Sequence, residues 1–587
     1  MLFHLNPLER IYKMIIKKSA VIVFLTLFFV FAANAMPPHP NNTNPTGREK
    51  TESPNTAQEP LYKSMLRSSP ARVHPFSSPM NLLVILAEFG AELPAQAAVA
   101  PLNGNNILKK SGYIIPALLL IFLIIQILFK NRKRFVLLNA CILLLLSCPD
   151  EGGNTDTDPG DPLYFKTDIG VFKNILGANG ADVPNPVQLT MKKYWQDMSQ
   201  NNFNLNIDVV GPVRVSKGWQ YYGRNNKSGD DSHPGQLVSE AVKLAHPEVL
   251  SLDPTNGYAK YDNNGDSYVD TVIVVFAGQG EEQKGTADAI WSHSFSLAGT
   301  GSGIVLLDGV RINRYTVQPE YNIKPGDATI GVFCHEFAHV LGLPDLYDTI
   351  KNSTHGVGHW SLMSAGSWGS SIGKDPAPLL AWERYELGGD AWVTIKPCTK
   401  TTQTINILDI ELSKTAYMIP LNTDNATTAT QYLLLERKTK AFDPVDPESG
   451  KIFVPATGIL ITHINEAIVD KYWRHPTETK DYNRVNSYKD RPHGVNIVES
   501  NGTDSGGTGV LWNAAKTLDK IADYEKMIFS HSDNTKNKIN LSTPGIDDNF
   551  PNSNYYLEET LTSKTGYSGI AIKVTEENSV DITVTTP

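Results

Sequence analysis

Cysteine is scarce, with four in 587 residues. Cys141 and Cys148 lie inside or at the end of an apolar block, which leaves Cys334 and Cys398 for everything after it. A disulfide framework is thereby excluded as the source of stability. Basic residues are also in deficit. Lys and Arg number 52 against 61 Asp and Glu, a formal net charge of −9. That balance argues against nucleic acid as a partner and leaves no basic patch to hold it. Apolar runs that approach membrane thickness occur only ahead of residue 150. The length itself allows three or four domains.

Against these absences stands the pentad His335-Glu336-Phe337-Ala338-His339. On a helix, positions i and i+4 share a face, so both imidazoles can reach one ion. Glu336 sits where a carboxylate can take a proton from an attacking water. Gly342 and Pro344 end the helix and turn the chain so that Asp345 can approach the same ion. Catalytic zinc takes three protein ligands and keeps a position open. The third ligand is expected at Asp345, with Asp348 and Glu383 as the other carboxylates nearby in sequence. Cys334 beside His335 reads as a small apolar filler rather than a ligand.

A second anchor follows, Gly358-His359-Trp360-Ser361-Leu362-Met363-Ser364-Ala365-Gly366-Ser367-Trp368. A Met in a tight turn about two dozen residues beyond the pentad is the mark of the metzincin group, where it packs beneath the ligand histidines. From Phe333 through Asp348, and on into the Trp-Ser-Leu-Met turn, the chain resembles the immune-inhibitor-A-like family of secreted metalloproteases. Lys193-Tyr194-Trp195 to Ser199 resembles a family helix. Val209-Val210-Gly211-Pro212, Tyr221-Tyr222-Gly223 and Ile290-Trp291-Ser292-His293 resemble its strands, as do Tyr432 to Arg437 and Gly458 to Ile464. The resemblance covers about 160–500 well. It implies an extracellular zinc endopeptidase acting on proteins. A zinc amidase of cell-wall peptide and a binding or adhesion protein on a protease-like fold are the alternatives.

Oxygen side chains alternate in Asp262, Asn264, Asp266 and Asp270, with the Tyr268 carbonyl between them, as at the start of an EF-hand-type calcium loop. Calcium is therefore the second expected cofactor. Position twelve is Ile273 rather than Glu, so the site is expected to be partial. The competing reading is a solvated Asn/Asp/Gly turn.

Thr271 to Gly278 is a continuous apolar run that reads as a central strand buried on both faces. Residues 185–206 and 233–246 read as helices, the latter with Leu237, Val238, Ala241 and Val242 at helical spacing. Past about 400 the pattern becomes short β-rich runs at 432–436, 458–464 and 570–586. The expected fold is an α/β metzincin-like catalytic domain, a mixed sheet with an active-site helix, at 160–395. A β-rich accessory region is expected at 396–587.

The N-terminal part reads as a routing device. Lys17-Lys18, the apolar run Ala20 to Ala32 and Ala33-Asn34-Ala35 make a secretory signal over 1–35. Residues 36–110 read as a low-complexity linker. Within 111–148, Gly112 to Phe129 is long enough to span a membrane. The basic cluster Lys130 to Arg134 follows, and then a shorter apolar block ending Leu146-Ser147-Cys148. That ending looks like a bacterial lipoprotein signal with Cys148 as the lipidated residue. A two-helix anchor is the alternative. Either way the enzyme is expected outside the cytoplasm, exported and held at the membrane or cell surface. Asn81 to Phe89 also resembles the family's opening strand, which would place a membrane segment inside the catalytic domain.

Overall fold

A computed structural model describes residues 79–90, 163–180, 189–227, 229–284, 286–349, 356–369, 372–398, 403–420, 429–439, 458–476, 482–487, 493–497, 538–540, 570–576 and 579–584. Residues 1–89 and 163–587 form one unit, and 90–162 another. The signal, the apolar blocks and Cys148 lie outside the described residues. Among those described, no helix is long and apolar enough to cross a membrane.

The first sheet has five strands: β1 (Met80–Phe89), β2 (Leu205–Val215), β3 (Val272–Phe276), β4 (His293–Ser296) and β5 (Arg314–Pro319). Their order is β2-β1-β3-β5-β4, parallel except for β4, which runs antiparallel on β5. In β1, Val84 faces Val209 of β2 on one side and Ile273 of β3 on the other.

The two faces of β1 divide by the two-residue period of a strand. Leu82, Val84 and Leu86 join one core with helices α1 (Ile169–Leu176), α2 (Met191–Met198) and α4 (Gly331–Leu341). Leu83, Ile85 and Ala87 join another with α3 (Pro234–Leu252). The sheet is thus covered on both faces, as the unbroken apolar runs of β1 and β3 require.

Several expectations change. Asn81 to Phe89 is not linker: β1 is an inner strand of the first sheet, so the 36–110 boundary is wrong at this point. Phe89 N donates to the Leu163 carbonyl at 2.9 Å, and Phe165 N to Glu88 at 3.3 Å, so strand and continuation meet across 73 residues of sequence. The helix expected over 185–206 is shorter. Gln200 and Asn201 take positive φ of 53° and 63° after it, and β2 begins at Leu205. The helix expected at 233–246 instead continues past Pro247 to Leu252, because Ala245 and Val249 carry its buried stripe across the proline. Tyr221-Tyr222-Gly223, expected as strand, lies in a short helix, Trp219–Gly223.

The β-rich part forms a sheet of Val495–Ile497, Gly458–Asn465, Gln431–Lys438, Thr415–Pro420 and Thr394–Pro397, in that order. Residue 395 is not a break in the core. Tyr432, Leu434, Leu460, Ile464, Trp473 and Val495 belong to the same apolar cluster as Phe337 of α4. A further sheet pairs Gln403–Asn406, Ser579–Val584, Ile570–Glu576 and Lys538–Asn540.

The place of β1 limits where the chain can be cut. Leu82, Leu83, Val84, Ile85 and Leu86 are all fully buried. At roughly 1.5–3 kcal/mol for each such side chain, their loss is comparable to the whole stability of a domain, about 5–15 kcal/mol. A chain beginning at Cys148 should therefore fail to fold, with its far-UV spectrum and urea melt showing no cooperative transition. Co-expressing residues 79–90 as a separate piece should restore one. A stable fold for the Cys148 chain alone would show that β1 is dispensable.

Candidate metal centre

Helix α4 is buried almost all round, and its end is set by Gly342, whose φ of 113° lies in the region glycine favours. Gly342 N bonds back to Ala338 and His339, closing the helix and releasing Leu343-Pro344-Asp345 into a turn. The turn brings Asp345 Oδ1 to 3.2 Å from His335 Nε2 and 3.3 Å from His339 Nε2. The two rings stand at 90° with centroids 4.9 Å apart. Among the described residues, these three are the one group of His, Cys, Asp or Glu whose ligand atoms all lie within 4.8 Å of one another.

The far side of each ring is also defined. His335 Nδ1 lies 2.8 Å from the Leu362 carbonyl, and His339 Nδ1 2.8 Å from the Leu343 carbonyl. A carbonyl only accepts, so each Nδ1 carries a proton, and each Nε2 is the ring nitrogen turned toward Asp345. In a tetrahedral site with zinc bonds of about 2.0–2.1 Å, ligand atoms stand roughly 3.3 Å apart. The His-to-Asp separations match that, so the donor set fits a zinc ion. Burial lowers the proton affinity of His339, but the Asp345 carboxylate beside it outweighs this and raises its pKa to about 9.

Glu336, on the same helix, is 1 % exposed. A second buried carboxyl, Glu282, lies close enough to feel its charge. Burial, opposed by hydrogen bonds from Ser292 and reinforced by Glu336, pushes Glu282 up to about 7. Nothing in the local pattern around Glu282 pointed to this.

Of the other expected carboxylates, Asp348 is buried but stands outside the convergent group. Glu383 is spent on structure: it accepts from Ser361 Oγ at 2.5 Å and from Leu380 N at 2.6 Å. Ser361 Oγ in turn accepts from Met363 N at 2.9 Å. Glu383 thus holds the turn whose Leu362 carbonyl holds His335. Met363 is fully buried in the core that contains Phe337 and Ala338, and its carbonyl accepts from Leu346 N. Cys334 is a buried free thiol whose pKa burial raises well above its ordinary value.

In the loop expected to hold calcium, side-chain oxygens meet the loop's own backbone amides. Asp262 accepts from the backbone amides of Gly265, Asp266 and Ser267. Asn264 accepts from Asp266 N, and Asp266 from Tyr268 N. Asp270, 6 % exposed, accepts from both nitrogens of Asn263. The carboxylates cap their own turn and do not form a convergent group. Asn263 also ties this loop to β1, exchanging hydrogen bonds with the backbone of Asn81.

A buried helix carrying Glu336 between two histidines, with a carboxylate turned onto both ring nitrogens, is the donor arrangement that metallopeptidases use. Residues 141–393 match the model of the immune inhibitor A peptidase M6 catalytic domain. It is 33 % identical over 259 residues to Pre-pro-metalloprotease PrtV of Vibrio cholerae serotype O1, covering 40 % of this chain and 27 % of that protein. It is 32 % identical over 206 residues to Immune inhibitor A of Bacillus thuringiensis subsp. alesti, covering 31 % and 29 %. The chain spans less than a third of the length of these relatives. The match begins at residue 141, beyond β1 in the chain.

The Ser361 link can be tested by itself. Ser361 and Glu383 are both fully buried. Ser361→Ala leaves a buried carboxyl and the Met363 amide each short of a partner, a cost of about 1–3 kcal/mol for each group. The urea midpoint should fall accordingly, and Ser361→Thr should recover part of it. An unchanged midpoint for the alanine variant would show that the link carries no stability.

Proposed function

We propose that this protein is an exported zinc endopeptidase of metzincin-like build, with His335, His339 and Asp345 holding the ion and Glu336 as general base. The observation that carries the reading is the convergence of both Nε2 atoms on Asp345 Oδ1 while both Nδ1 atoms are committed to carbonyls. Zinc held there would polarise a peptide carbonyl and bring the pKa of water near neutrality. Glu336 takes the proton of the attacking water and returns it to the leaving amine. The carbonyls of Leu362 and Leu343 keep the rings from turning and hold them in the ligand tautomer. Met363, buried in the core that also holds Phe337 and Ala338, would serve as the Met-turn residue.

Export is supported by the signal over 1–35, and surface attachment by the apolar blocks; lipid on Cys148 is compatible with the fold only where the piece carrying β1 stays bound after processing. Because β1 and everything from Leu163 onward share one folded unit, both must end on the same side of a membrane. The layout in which Gly112 to Phe129 returns inward, Lys130 to Arg134 stays inside and the second block leads out satisfies that requirement.

Glu336→Gln tests the chemistry. The variant should keep fold and zinc while its turnover on casein drops about 100- to 10,000-fold, the usual worth of general-base catalysis. Near-wild-type proteolysis would remove Glu336 from that role. Digesting peptidoglycan alongside, with the products sequenced, separates an endopeptidase from a cell-wall amidase.

The calcium site at Asp262, Asn264, Asp266, Tyr268 and Asp270 is a proposal supported by oxygen spacing and by the loop's attachment to β1. A calcium-selective chelator should lower the melting temperature, and Asp266→Ala should abolish the difference. Superimposable melts with and without calcium would leave only the self-capped turn.

A further inference from the structure

Asp345 presents one oxygen to the two histidines, and its other oxygen is held from far along the chain. Asn483 Nδ2 donates to Asp345 Oδ2 at 2.6 Å, and Asp345 N donates to Asn483 Oδ1 at 2.8 Å. The two bonds close a ring between one side-chain amide and one residue's amide and carboxylate. Such a ring fixes both the position of the residue and the rotation of its side chain. Asn483 sits at φ 58°, a left-handed conformation that Asn adopts far more readily than most residues.

The surrounding contacts come from the same β-rich region. Trp473 Nε1 donates to the Gly342 carbonyl at 3.1 Å, and Asn486 Nδ2 to the Leu346 carbonyl at 3.0 Å. Thr349 N donates to Ser487 Oγ at 3.0 Å, and Thr349 Oγ1 to the Asn483 carbonyl at 2.9 Å. The turn from Gly342 to Thr349 is therefore gripped along its length by Trp473, Asn483, Asn486 and Ser487. Of these contacts, the one from Asn483 is made to the carboxylate itself.

We infer that Asn483 is a positioning residue for the third metal ligand: it holds Asp345 Oδ2 so that Oδ1 faces the ion, and thereby makes the β-rich region part of the metal site. The inference rests on the zinc reading above. Partners of this kind typically account for 10- to 100-fold in metal affinity.

The test uses the full chain and chelator-buffered zinc, with bound zinc measured at each free concentration and the apoprotein melt recorded separately. Asn483→Gly accepts the positive φ and removes both side-chain bonds. Asn483→Asp keeps an acceptor for Asp345 N and replaces the donor with a second carboxylate. Ser487→Ala removes a different bond to the same turn and leaves Asp345 alone. Both Asn483 variants should bind zinc about 10- to 100-fold more weakly, whereas Ser487→Ala should stay close to wild type even where it lowers the melt. Wild-type zinc affinity in the Asn483 variants would overturn the assignment. An equal loss in Ser487→Ala would overturn it too, showing that general docking of the turn is what matters. A wild-type chain that binds no zinc would instead bring down the metal reading itself.

Discussion

Two imidazoles and one carboxylate can meet at a point only if each is prevented from turning away, and much of the loop structure here serves that constraint. The pentad fixes where the rings start. Which nitrogen faces inward is decided outside the pentad, by the Leu343 and Leu362 carbonyls. The Leu362 carbonyl is itself held through Ser361 by Glu383 on the helix Ala381–Gly388, and Asp345 by Asn483 in the β-rich part. The site thus draws on four stretches that are distant in sequence and packed around one apolar cluster.

The same core explains why the N-terminal strand cannot be treated as a spacer. β1 divides its side chains between the two layers, and its neighbours on both sides are parallel strands that have no other partner at that position. The 73 residues between Phe89 and Leu163 leave and return at adjacent backbone positions. An insertion of that form costs the sheet little, because the entropy of closing a loop grows only slowly with its length. Processing at Cys148 would cut the chain without removing the need for β1.

Much of the site was legible because its residues lie within eleven positions of one another. Helical spacing puts His335 and His339 on one face, and Gly342 with Pro344 announces the turn to Asp345. The buried strand at 271–278 and the β-rich runs past 400 could be read for the same reason: their patterns are local. What was not legible depends on contacts between distant residues. Glu383 looked like a candidate ligand because it is an acid near the motif, and only packing shows it bonded to Ser361. Asn483, 138 residues from Asp345, carries no signal in its own neighbourhood. The Asp262 loop has ligand-like spacing, yet its oxygens can equally cap backbone amides, and spacing does not choose between those uses.

The ligand set is the claim on which the account turns, and X-ray absorption at the zinc edge of the purified full chain tests it most directly. Two imidazoles and light oxygen donors at about 2.0–2.2 Å, with no sulfur, are predicted for His335, His339, Asp345 and an open position. A sulfur shell near 2.3 Å, which would bring in Cys334, or a third imidazole would contradict it.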